Sequence, residues 1–208
     1  MKHSTIHLAG ILCLGLFASS CVTTVDGQPP KTDRIVSDWV LPSRALRDDI
    51  ETQAAALPYR HGGERVEVIT WFAGVGEPAY ETLLAFLDDD RPEVVATVLA
   101  ALGATGDHRL VPHLIAAERV EWVGSLRLEY ARARVRLGDW DAMPALIEGL
   151  EADDRFLRAL CVETLFEATH ERFGYGAGSA LPDRQAAVQR WREWWDRRTS
   201  DQMMAKSD

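Results

Sequence analysis

The chain has 208 residues, 47% apolar and 26% charged, enough for one globular domain with its own core and too few for two large ones. Lys and Arg number 23 against 32 Asp and Glu, a formal net charge of -9. A chain this acidic is repelled by a phosphate backbone unless its cations gather on one face, so nucleic acid is not an expected partner.

The first 20 residues read as a targeting segment, outside any fold argument. Lys2 and His3 begin it, Leu8 to Phe17 form an apolar run, and Ala18, Ser19 and Ser20 set small residues before Cys21. The run is too short to span a bilayer, which takes roughly 20 apolar residues, so the signal is one for export. Small residues ending at a cysteine resemble the lipobox of bacterial lipoproteins, with Ala18 where Leu is usual. That resemblance implies acylation of Cys21 as the first mature residue and a lipid attachment to the membrane. Val22 after it favours the outer membrane by resemblance to the enteric sorting rule. The competing reading is an ordinary secretory peptide cut near Ala18. In the mature chain Cys161 then stands alone, and its apolar helical surroundings predict a buried, inert thiol.

Residues 21–38 contain Asp26-Gly27-Gln28-Pro29-Pro30-Lys31 and no apolar period, and read as a disordered tether with a reach of about 20 to 25 Å. Folding is expected to start near Trp39. Residues 39–76 read as an N-terminal helical cap. One helix opens after Ser43 with Leu46, Ile50 and Leu57, and a second carries Val66, Ile69, Trp71 and Phe72 before Gly74 and Gly76.

Residues 77–172 carry three helical hairpins. In the first, Leu83, Leu84 and Leu87 form an inner stripe, 88–92 supply an acidic turn, and Val94, Val95, Val98, Leu99 and Leu102 recur at helical spacing, with Gly103 and Gly106 expected to stop the helix. The second has Val111, Leu114 and Ile115, then Leu126, Tyr130, Ala133 and Leu137. The third has Leu146, Ile147 and Leu150, then Leu157, Cys161, Thr164, Leu165 and Ala168. Between them one phrase is said twice: Gly106-Asp107, Val111-Pro112 and Leu114-Ile115 return as Gly138-Asp139, Met143-Pro144 and Leu146-Ile147. Recurrence at that period marks stacked helical hairpins.

This layout resembles HEAT-repeat proteins, including the short HEAT-like units found in bilin lyases. The resemblance implies an all-α fold, a right-handed α-solenoid, and work as a protein-protein interaction module or scaffold. Lyase activity does not follow, because only the scaffold is alike.

Residues 173–198 resemble a C-terminal element of exported bacterial HEAT-repeat proteins, an aromatic-glycine loop at Phe173-Gly174-Tyr175-Gly176 and a helix with Arg-Trp and Trp-Trp pairs. Ala187, Val188, Trp191 and Trp195 fall on one helical face, which predicts a Trp-rich cap over the end of the array rather than a ligand cage. Residues 199–208 read as a disordered tail.

Chemistry is sparse. His170-Glu171 invites comparison with the iron-binding His-Glu pairs of deoxyhypusine hydroxylase, which needs several such pairs; a solvated or capping histidine is the better reading. His108 and His113 lack further ligands at metal spacing, and no nucleophile elbow occurs. No catalytic, metal or cofactor residue is therefore assigned. In HEAT-like arrays the second helices line the concave side, so Arg127, Arg134, Glu163 and Glu167 are the candidate contacts with a protein partner, weighed against a self-paired face containing Glu129 and Arg132. The expectation is an exported, lipid-anchored scaffold in a bacterial cell envelope. The alternative is an envelope enzyme, or its regulatory subunit, with a site in the concave groove.

Overall fold

The computed structural model describes residues 39–122 and 124–205. The segment read as an export signal, Cys21 and the expected tether lie outside the described residues. The described residues form one unit. Among them all regular structure is helical: α1 (Arg44–Ala56), α2 (Gly62–Val75), α3 (Tyr80–Ala85), α4 (Pro92–Ala104), α5 (Val111–Ala116), α6 (Gly124–Arg136), α7 (Met143–Gly149), α8 (Arg155–Thr169) and α9 (Leu181–Ala205), with 3-10 turns between several of them.

Local chemistry sets the helix ends. The Ser43 hydroxyl accepts from Leu46 N at 3.2 Å and starts α1, and Asp154 accepts from Phe156 N at 2.6 Å and starts α8. The twice-used phrase is a stop followed by a restart. Gly106 (φ 68°) and Gly138 (φ 88°) reverse the chain in the left-handed region that a side chain disfavours. The next residue then caps a 3-10 turn, Asp107 accepting from Arg109 N at 3.0 Å and Asp139 from Asp141 N at 3.1 Å. Pro112 and Pro144 follow in the first turns of α5 and α7, where a missing N–H costs nothing.

The even-numbered helices α2, α4, α6 and α8 lie side by side in that order. Each of α3, α5 and α7 packs on the helix that follows it, and α9 packs on α7. At the centre, α4 is buried on most of its circumference through Val94, Val95, Val98, Leu99 and Leu102. Gly103 belongs to this helix and does not stop it; a Cβ there would sit 2.8 Å from Ala133 Cα, so glycine lets α4 and α6 approach.

Two apolar clusters meet along α6, which gives Leu126, Tyr130 and Ala133 to one, with Leu137 just past its end, and Ala131 and Val135 to the other. Charged residues share that helix's buried faces. Arg132 donates to Glu129 at 2.6 Å and to the Thr164 hydroxyl at 3.0 Å, joining α6 to α8. Several other polar links also join positions about one phrase-length apart: Glu77 with Arg109, Asp88 with Arg119, and Arg136 with Glu167.

The apolar readings fail at two places. Ile115 is 48% exposed while its counterpart Ile147 is 3% exposed, because α7 has α9 packed against it and α5 has only its own preceding 3-10 turn and α6 as main neighbours. Val66 faces solvent on the outer side of α2.

Ahead of α1 the chain is strapped to α3 and α5. The Trp39 ring lies 5.1 Å from those of Tyr80 and His113, with the Arg109 guanidinium 5.3 Å from its centroid. Val40 N donates to Glu77 Oε1 at 3.1 Å, and Arg109 binds both Glu77 and Asp107. Those hydrogen bonds from Arg109 hold the Glu77 and Asp107 carboxyls below the usual carboxylate range.

At the other end, α9 continues through Ala205, past the tail boundary expected at 199, and residues 206–208 lie outside the description. The Ser200 hydroxyl donates to Asp196 O at 2.8 Å within the helix, and Arg198 stacks on the aromatic cluster.

Candidate functional site: a groove where three helices end

The last turns of α4, α6 and α8 meet at one edge and leave an open groove of about 470 Å³. Its lining is residues 103–106, Val135 and Arg136 from α6, and Thr164, Glu167 and Ala168 from α8. The small residues of α4 make the groove, since larger side chains there would fill it. Arg136 reaches across it to Glu167, Nε to Oε2 at 2.9 Å and Nη2 to Oε1 at 3.1 Å. Beneath lies Thr164, which accepts from Arg132 Nε and donates to Leu160 O at 3.0 Å, so its hydroxyl is satisfied and buried.

Of the four residues expected to face a partner, Glu167 alone lines this groove. Arg134 lies over the Tyr130 ring at 5.4 Å and pairs with Asp139 at 2.6 Å, half-buried at the end of α6. Glu163 binds both terminal nitrogens of Arg172 at 3.0 and 2.9 Å, which lowers its pKa through those hydrogen bonds. Arg172 in turn stacks on Phe166 at 4.3 Å. Arg127 is exposed beside a separate hollow of about 200 Å³ that also touches Leu128, Ala145 and Glu148. The groove's cation, Arg136, was missed, although its separation of 31 from Glu167 nearly matches the spacing of the repeated phrase.

The C-terminal aromatics fill their own space. Trp191 is fully buried, with Phe173 at 4.8 Å and Trp194 at 5.6 Å in edge-to-face contact. The Arg198 guanidinium lies 4.1 Å from the Trp140 ring centroid and 5.8 Å from that of Trp194, where a ligand cation of a cage would sit. Tyr175 is buried in the loop ahead of α9 and its hydroxyl donates to Leu150 O. His170 closes α8 in the left-handed region (φ 61°), its N–H donating to Phe166 O at 2.8 Å.

Among the described residues no group of three or more His, Cys, Asp or Glu is placed to hold a metal ion, and no helix is long and apolar enough to cross a membrane. Cys161 is buried, and its burial pushes the thiol pKa up to about 12. A thiol-directed aromatic disulfide is therefore expected to leave native Cys161 unmodified at pH 8 and to titrate it once the chain is unfolded in guanidinium; rapid native labelling would contradict the burial.

No family model, no curated protein and no solved structure matches the chain.

Proposed function

We propose that the chain is an exported interaction module: a right-handed solenoid of HEAT-like hairpins, held to a membrane through a lipid on Cys21, with the outer membrane favoured, that docks a protein partner in the cell envelope. The observation that carries it is the side-by-side row α2, α4, α6, α8, with polar links 31 or 32 residues apart joining α6 to α8, and an open groove along the edge where the last turns of α4, α6 and α8 meet. Such a row presents a broad side for a partner and buries its core between neighbours. The groove holds one carboxylate, tied to an arginine, and acid-base chemistry needs a group free to exchange a proton. That favours docking over the alternative of an envelope enzyme.

Two measurements test this reading. Crosslinking in cells followed by mass spectrometry is expected to return a recurrent envelope protein; capture of no protein above background counts against the module. For the anchor, a clickable fatty acid is expected to label the wild-type chain and to be lost in Cys21→Ala. Label that survives that substitution refutes acylation at Cys21.

A further inference from the structure

Three helix ends converge on the groove. α4 stops at Ala104, α6 at Arg136 and α8 at Thr169, and each contributes its last turns to the lining. A helix C-terminus carries roughly half a negative charge on carbonyls without intrahelical donors, and here the ends lie side by side so their fields add. Glu167 contributes a full charge and stays 51% exposed even while it holds Arg136. Arg136 is the one cation in the lining, and it sits where those fields favour a cation. The groove thus already receives a guanidinium, one supplied by the chain itself.

We propose that this groove binds a basic extended segment of a partner, through an arginine or lysine side chain that pairs with Glu167, and that Arg136 is its internal competitor. The proposal rests on the interaction-module reading and names the chemistry of the partner. A cleft of about 470 Å³ falls within the range that takes ligands, roughly 300 to 1,000 Å³. The net charge of -9 draws a cation toward the surface and makes its capture salt-dependent. An acidic segment would meet three negative helix ends and Glu167. An apolar one would cover the ion pair without satisfying it.

The test is fluorescence anisotropy of a labelled hexa-arginine peptide on the full chain at low ionic strength, with circular dichroism to verify that each variant is folded. Arg136→Ala frees Glu167 and is expected to tighten binding about 3-fold, and Glu167→Gln to weaken it about 3-fold, as for a partly exposed ion pair. Glu64→Gln, at an exposed carboxylate of α2, removes the same charge outside the groove and is expected to leave binding unchanged. The proposal is overturned if hexa-arginine does not bind, if Arg136→Ala weakens binding or leaves it unchanged, or if Glu64→Gln acts as Glu167→Gln does. Equal affinity for hexaglutamate also overturns it. If these results fail while crosslinked partners persist in cells, the basic-segment chemistry falls and the interaction module stands.

Discussion

Replacing Arg158 with methionine is expected to lower the unfolding free energy by about 3 kcal/mol, seen as a drop of roughly 10 °C in the thermal midpoint. The guanidinium is buried and all of its hydrogen bonds go to backbone carbonyls. Nη1 donates to Ala152 O and Asp153 O, each at 2.7 Å, while Nε and Nη2 donate to Ala177 O at 3.1 and 2.9 Å. One side chain therefore ties the turn between α7 and α8 to the loop that leads into α9. Methionine fills much of the same volume and leaves three carbonyls without a donor, so the loss is polar rather than a packing defect. Arg158→Lys is expected to recover less than half, because an ammonium cannot fork to both sides at once. Urea unfolding followed by circular dichroism checks both; a cost under about 1 kcal/mol for the methionine variant would show that water replaces the guanidinium.

Trp191→Ala is expected to cost about 3 to 5 kcal/mol, the range for emptying a large buried aromatic site. Trp191 is fully buried, and its removal also strips Phe173 and Trp194 of edge-to-face contacts. Its indole N–H finds no hydrogen-bond acceptor among the described residues. Trp191→Phe therefore gives up volume and no hydrogen bond, and is expected to cost only about 1 to 2 kcal/mol. The pair separates packing from polarity. A phenylalanine variant as unstable as the alanine one, by urea midpoint, would mean that the indole nitrogen has a partner after all.

The turns were the most legible part of the sequence, because their physics is local. Gly106, Asp107 and Pro112 act within a few residues of where they stand, as do Gly138, Asp139 and Pro144. Apolar stripes were legible where neighbours exist on both sides, as in α4, and not where the cover comes from elsewhere. Nothing in Ile115 or Ile147 themselves tells that α9 will pack against one of their helices. Charged residues were the least legible. Arg132 read as part of a self-paired helix face and Arg158 drew no reading at all, yet both are buried, since their partners lie on other segments: Thr164 on α8 for Arg132, and carbonyls on both sides of α8 for Arg158. Gly103 read as a stop and is a contact between helices. For the groove, the period needed to be applied to charges as well as to apolar residues; stepping about one period on from Arg136 leads to Glu167.

The strap at Trp39 also bears on the order in which the chain assembles. Most polar ties between hairpins join residues 31 or 32 apart, so each hairpin can settle on the one before it as soon as it is made. Trp39 is different, because its ring partners Tyr80, Arg109 and His113 lie 41, 70 and 74 positions later, so the loop it closes is longer. During vectorial emergence the strap can begin to close once α3 exists, with Trp39 on Tyr80 and Val40 on Glu77, and it is completed only when Arg109 and His113 arrive. Until α3 is made, α1 and α2 must hold together without it.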